Sequence, residues 1–239
     1  ITFFESVSRL PSAHATIVGA DDENTWQFWR LDPTRTVELE SNAAYERRFR
    51  ELFEQAVQCR LRVNGPIGTT LSGGIDSSSI TVVARDLLPA DQTLHAFSNV
   101  YDEAPSSDER EYIETITSRP GINSHYVFCD DIGLFPDIDA VRRYFDQPII
   151  NNMHFARWKR AERAKEESVQ VMLGGALGDQ AIGYGLGLLP QLFLTGRWRH
   201  LRREISAMSD VVGASEWSMF RRHVLRHVVP DPVLRMRRR

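Results

Sequence analysis

At 239 residues with 42% hydrophobic and 26% charged content, the chain can bury one sizeable core, or one core plus a small helical appendage. Its formal charge of -3 argues against a dedicated nucleic-acid protein, even though residues 190–239 hold eleven Arg against four acidic residues; such a run reads first as a solvated helix face, and only then as a surface for nucleic acid or a leader peptide. No window approaches the ~18 uninterrupted apolar residues of a membrane span, no secretory signal opens the chain, and Cys59 and Cys129 fall in apolar patterns that read as buried small hydrophobes of a cytoplasmic protein.

The chain starts at Ile1 rather than Met, so it reads as a piece of a longer protein. Residues 1–40 mix short strand-like runs with turn residues such as Gly19-Ala20-Asp21-Asp22 and Asp32-Pro33, the pattern of a connector from a domain outside this chain. From Ala43 to about Val63, Phe49, Leu52, Phe53, Val57 and Leu61 recur at helical spacing, and Asn64-Gly65-Pro66 stops the pattern. Ile67 to Leu71 then reads as a strand, and Asp76 to Leu88 as a helix faced by Ile80, Val83, Ala84 and Leu87. Further strands are expected at Leu94–Val100, Ser124–Cys129 and Val169–Leu173, and further helices at Glu109–Thr117 and Ala156–Glu167. This alternation predicts an α/β fold, a parallel twisted sheet with helices on both faces, over residues 41–190. Residues 191–239 read as a helical, Arg-rich segment with no further strand.

Sheets of this kind bind ligands at the carboxyl ends of their strands, where two glycine-rich segments fall. The first is Thr69-Thr70-Leu71-Ser72-Gly73-Gly74-Ile75-Asp76-Ser77-Ser78. Its glycines let the backbone approach a ligand closely, and successive N–H groups with the following helix N-terminus form a cradle for phosphates to which the serines add donors. A carboxylate aimed at phosphates repels them unless a cation lies between, which makes Asp76 a magnesium ligand. The plainer alternative is a strand-to-helix turn in which Asp76 and the serines merely cap the helix. A serine nucleophile is not supported, because the Gly-x-Ser-x-Gly elbow is absent. The second segment, Gly174-Gly175-Ala176-Leu177-Gly178-Asp179, is another glycine-rich exit from an apolar strand, with Asp179 placed as Asp76 is.

The first loop resembles the signature of the PP-loop ATP pyrophosphatases, and specifically the synthetase domain of the asparagine synthetase family. Weaker likenesses follow in order: Leu10-Pro11-Ser12-Ala13-His14, Trp26 to Trp29, Leu94-His95-Ala96-Phe97-Ser98, Asp108-Glu109-Arg110-Glu111-Tyr112, Asp146-Gln147-Pro148, and Val171 through Gln180 as the family's second loop. The resemblance implies that ATP and Mg2+ are bound, with Asp76 and Asp179 sharing the metal as the catalytic aspartates. It implies that Thr70, Leu71, Ser72, Gly73, Gly74, Ser77, Ser78, Asn99, Gly174 and Gly175 hold the nucleotide, Thr70, Asn99, Gly174 and Gly175 beside adenine and ribose. The activity it implies is attack of a small-molecule or peptide carboxylate on the α-phosphate, then displacement of AMP by an amine. A glutaminase-like domain normally precedes such a region.

The chain also departs from the family. Ala176 stands where asparagine synthetases carry glutamate, Gln180 replaces an acid, and Ile149 to His154 lacks the Thr/Arg character used to hold free aspartate. The Arg-rich end is similar to the lasso-peptide cyclase branch, whose members close macrolactams and for which a leader-peptide-binding protein is an expected partner. The alternative is a degenerate, non-catalytic nucleotide-binding or scaffold module, to which Ala176 and Gln180 point.

Overall fold

The computed structural model describes residues 2, 4–32, 34–130, 138–145, 153–178 and 187–228, and the chain divides into two units, residues 1–174 and 175–239. The first unit opens with an antiparallel hairpin, β1 (His14–Val18) and β2 (Glu23–Gln27), paired from His14↔Gln27 to Val18↔Glu23. Helix α1 (Asn42–Gln58) follows, its N-terminus capped by Ser41, whose Oγ accepts from the N–H of Ala44 at 3.2 Å.

Among the described residues four strands build the sheet: β3 (Ile67–Thr70), β4 (Leu94–Val100), β5 (Ile122–Phe128) and β6 (Val171–Leu173), in the order β5-β4-β3-β6 and all parallel. Helices α2 (Ile75–Leu87), α3 (Arg110–Thr117), α4 (Ile138–Phe145) and α5 (Met153–Glu166) fall between them in sequence. Pleating sends Ile67, Thr69, Leu94 and Ala96 to one face. There Ile67 and Leu94 pack with Val57 and Ala84, Thr81 of α2 donates to Thr69 Oγ1 at 3.0 Å, and Ile113 of α3 meets Leu71 and Ala96. Phe97 and His125 face the other way, where Arg163 of α5 reaches His125. The expected parallel sheet with helices on both faces is therefore observed.

Several boundaries differ from expectation. α1 ends at Gln58 rather than near Val63, because the N–H groups of Arg60 and Leu61 turn back on the carbonyls of Val57 and Gln58, closing the last turn early. That early end leaves Cys59, expected inside, exposed, whereas Cys129 is buried. α4 was not anticipated, although Ile138, Val141 and Tyr144 are spaced as a helix face and Val141 is fully buried. Asp146, Gln147, Pro148 and residues 149–152 lie outside the described residues.

The second unit is helical as expected: α6 (Leu188–Leu194), α7 (Trp198–Val212) and α8 (Glu216–Phe220), the last continuing into a wider turn over Arg221–Leu225. Leu189, Leu192, Leu201, Ile205, Met219 and Val224 form its own core. Among the described residues no helix is long and apolar enough to cross a membrane.

One polar chain runs between α5 and the sheet. The Arg163 guanidinium can only donate, so His125 Nδ1, 3.2 Å away, accepts. The His125 proton then sits on Nε2, which donates to His95 Nδ1 at 2.9 Å. Glu167 balances Arg163 at 2.6 Å. Burial pushes the His125 pKa below its usual value, Arg163 and His95 push the same way, and Glu167 opposes them. An unfolded chain therefore takes up a proton near pH ~6.5 that the folded chain refuses, so stability falls as the pH drops from there toward the depressed folded value. Urea midpoints at about pH 7 and about pH 5.5 test this: the acid-induced drop should shrink in His125→Gln, and an equal drop in wild type and variant would contradict the assignment.

A candidate nucleotide-binding site at the carboxyl edge of the sheet

β3 stops at Thr70, and the chain must reverse within four residues to enter α2. Gly73 makes the reversal at φ +85°, a left-handed conformation that side chains rarely adopt. A Cβ there would lie 3.0 Å from Cβ of Tyr112 and 3.2 Å from Cβ of Glu109, so the segment opening α3 forms the wall against which the loop is pressed. Inside the turn, Ser77 Oγ donates to the Gly74 carbonyl at 3.1 Å and accepts from the Ser72 N–H at 3.2 Å, with Ser72 Oγ a further 3.1 Å contact. Ser77 is buried and braces the loop, whereas Ser72 is exposed and Ser78 half-buried. The Leu71 N–H is spent on the Phe97 carbonyl at 2.9 Å, and the Leu71 side chain is fully buried.

What remains free is the face a phosphate needs. No side chain caps α2 at Gly74, and the first N–H groups of a helix have no carbonyl one turn earlier. Asp76, in the first turn and half-buried, makes no hydrogen bond or ion pair with any described residue. Among the described residues Asp76 therefore caps no backbone N–H. A carboxylate without a protein partner beside an amide cradle fits a hard cation such as magnesium.

Thr70 and Asn99 stand on the face of the sheet opposite α2, at the same edge. Gly174 follows β6 directly beside Thr70, and a Cβ on it would come within 2.7 Å of Thr70 Oγ1. Asn99 Oδ1 is buried with no hydrogen-bond partner among the described residues. Thr70, Leu71, Ser72, Gly73, Gly74, Asp76, Ser77, Ser78, Asn99 and Gly174 thus share the carboxyl end of β3, β4 and β6 in the first unit. Gly175 begins the second unit, and Asp179 lies outside the described residues.

Sequence reasoning missed the clamp that shapes the neighbouring loop. Arg110 donates to Asp108 at 2.7 Å, to Asp102 at 2.5 Å and to the Tyr101 carbonyl at 3.1 Å. Its guanidinium holds the Asp108 carboxyl below the usual range. Asp130 accepts from the N–H groups of Asp102 and Glu103, both at 2.8 Å, and these bonds lower its pKa. The family likeness over Asp108-Glu109-Arg110 says nothing of this clamp, whose partners across the loop are seven to nine residues back, a spacing to which no periodic pattern draws attention.

A sequence model described as asparagine synthase matches residues 48–236. The chain is 25% identical over 198 residues to Amidase chry2 of Gibberella zeae, covering 76% of this chain and 29% of that protein. It is 26% identical over 191 residues to the glutamine-hydrolyzing asparagine synthetase 3 of Bacillus subtilis, covering 75% and 31%. It is 28% identical over 162 residues to the putative asparagine synthetase 2 of Methanocaldococcus jannaschii, covering 66% and 30%. The chain thus spans about three-tenths of the length of these relatives. Among solved structures, a glutamine-dependent NAD+ synthetase from Acinetobacter baumannii, in complex with ADP, aligns over 55% of this chain and 26% of its own, at 18% identity and a TM-score of 0.38.

Gly73→Ala should cost the loop its turn, since the new methyl meets backbone-proximal atoms of Tyr112 and Glu109 in a left-handed conformation that is itself strained by about 1 kcal/mol or more. The expected outcome is a folded protein whose affinity for ATP, read by calorimetry, drops about tenfold or more, while Gly74→Ala, with only Ser72 Oγ at 3.5 Å, is milder. Equal affinities for the two variants would show that the turn at Gly73 does not shape the site.

Proposed function

Because the chain belongs to the asparagine synthase family, we propose that it is the synthetase portion of an ATP-dependent amide ligase. The observation that carries this reading is the loop Ser72 to Ser78 at the carboxyl edge of the sheet, beside a carboxylate, Asp76, that has no partner among the described residues. In the proposed reaction a substrate carboxylate oxygen attacks the α-phosphorus of ATP, the bond to the bridging oxygen breaks, and pyrophosphate leaves. An amine nitrogen then attacks the acyl carbon, AMP departs, and the nitrogen gives up its proton as the amide forms.

The protein's part is positioning and charge balance rather than covalent chemistry. Backbone N–H groups at Gly73, Gly74 and the start of α2 hold phosphate oxygens, Ser72 and Ser78 offer hydroxyl donors, and Ser77 keeps the loop in shape. Thr70, Asn99, Gly174 and Gly175 lie toward the nucleoside. Asp76, with Asp179 as the second ligand, would hold magnesium, which supplies charge neutralisation for the leaving pyrophosphate. The acyl substrate is a small-molecule or peptide carboxylate: free aspartate with ammonia from a glutaminase-like domain in one version, a peptide side chain and the peptide's own amine, as in lasso-peptide cyclisation, in the other. Ala176, which departs from the glutamate that the family resemblance implies at this position, favours the second version. It also sustains the separate reading of a nucleotide-binding module without chemistry.

Asp76→Asn should weaken magnesium-dependent ATP binding by at least about tenfold, since even groups that only support a metal ligand are worth 10- to 100-fold. Calorimetric titration with and without magnesium checks it, and an unchanged isotherm would remove Asp76 from the site. Release of pyrophosphate by the full-length protein, with aspartate and ammonia or with a carboxylate-bearing peptide, separates ligase from binding module. ATP binding without pyrophosphate release for any carboxylate would favour the module.

A further inference from the structure

Helix α5 carries arginines at three-residue intervals, Arg157, Arg160 and Arg163, and only the last has acidic residues three and four positions on. Arg163 uses them, pairing with Glu166 at 2.8 Å and Glu167 at 2.6 Å. Arg160 has Ala156 and Ala164 four residues away and only Arg157 and Arg163 three away. It is half-buried, and among the described residues it makes no hydrogen bond and no ion pair. A buried guanidinium is ordinarily satisfied, as Arg85 is by the carbonyls of Leu88, Pro89, Gln92 and Gly121.

The fold places Arg160 at the edge where the candidate site lies. α5 leads through a short turn into β6, which is parallel to β3, so α5 runs antiparallel to the strands and its beginning points to their carboxyl ends. Arg163 sits against His125, midway along β5. Arg160 is ~4.5 Å closer to the carboxyl edge, at 1.5 Å per helical residue. The side chains that pleating presents to α5 at that level are Asn99 and Tyr101 from β4 and its exit, and Cys129 after β5. None of them supplies a negative charge: burial pushes the Tyr101 phenol and the Cys129 thiol up, so both stay neutral. Among the described residues the nearby carboxylates are committed elsewhere, Asp102 and Asp108 to Arg110 and Asp130 to backbone amides.

We propose that Arg160 is the recognition residue for an oxyanion of the reactants, with Arg157 reinforcing the positive field at the mouth. This rests on the reading of the carboxyl edge as the ligase site, and it names the class of group bound there: a carboxylate of the acyl substrate, or a phosphate oxygen of the nucleotide. A planar guanidinium suits either, by paired N–H donors. The carboxylate is the better match, because the phosphate cradle opens from the α2 side of the sheet whereas Arg160 approaches from the α5 side. An incoming anion would supply the counter-charge that no described residue provides.

The test compares the wild-type chain with Arg160→Met and Arg160→Lys in thermal-shift and calorimetric titrations against magnesium-ATP, AMP, pyrophosphate, L-aspartate and succinate. Without ligand, Arg160→Met should melt no lower than wild type, since it removes an unpaired charge and keeps the buried stem. Its affinity for at least one anion should fall about 10- to 100-fold, with partial recovery in Arg160→Lys. Loss confined to L-aspartate and succinate identifies the acyl substrate as the ligand; loss confined to ATP, AMP or pyrophosphate identifies the nucleotide. A ligand-free Arg160→Met that melts well below wild type overturns the proposal, because the arginine is then structural, and so does a variant that binds every anion as wild type does. A wild-type chain that binds carboxylates through Arg160 but never ATP would keep this inference and sink the ligase reading.

Discussion

The candidate site depends on one backbone constraint: the chain leaves β3 at Thr70 and must enter α2 at Ile75 within four residues. Only a left-handed residue without a side chain turns that corner, and Gly73 is wedged against Tyr112 and Glu109 at the start of α3. The wall is therefore part of the loop. It stays in place because Ile113, the next residue of α3, is sealed against Leu71 and Ala96, and because Arg110 ties the helix start to Asp102, Asp108 and the Tyr101 carbonyl. Packing of a helix on the sheet thus becomes precision in a loop that has few internal bonds of its own.

The same logic explains the division of labour among the serines. Ser77 is the one whose hydroxyl is consumed inside the turn, bridging the Ser72 amide and the Gly74 carbonyl. Thr81, one turn on, bonds the Ser77 carbonyl at 2.8 Å and Thr69 at 3.0 Å, so the first two turns of α2 are anchored to β3 by hydroxyls rather than by apolar contacts alone. Rigid hydroxyl bracing on one side leaves the other side free for a ligand, which is how a site avoids reorganising when charge arrives.

Much of this was legible in the sequence, for identifiable reasons. β4 and the parallel sheet could be read because Leu94, Ala96, Phe97 and Val100 form an apolar run between turn signals, as expected for a strand covered on both faces. The loop could be read because Gly73-Gly74 follows a strand and precedes a helix, the one context in which such glycines mean phosphate. α1 was overextended because Leu61 and Val63 continue an apolar rhythm that the backbone does not follow. Arg110, His125 and Arg160 were missed since each draws its meaning from residues distant in sequence, or from the lack of a partner, and periodicity records neither.

Helix α5 shows how far burial changes the meaning of a repeated residue. Arg163 and Arg160 are one turn apart on one helix, yet the first meets Glu166, Glu167 and a neutral His125, while the second lies near the Tyr101 phenol and the Cys129 thiol. In water the two would be equivalent. Beside the sheet the paired Arg163 acts as a strut, whereas the more deeply buried Arg160, without a counter-charge among the described residues, stays receptive. A sheet that binds ligands at its carboxyl edge gains selectivity by keeping such a charge at the near end of α5 and neutralising the one at the far end.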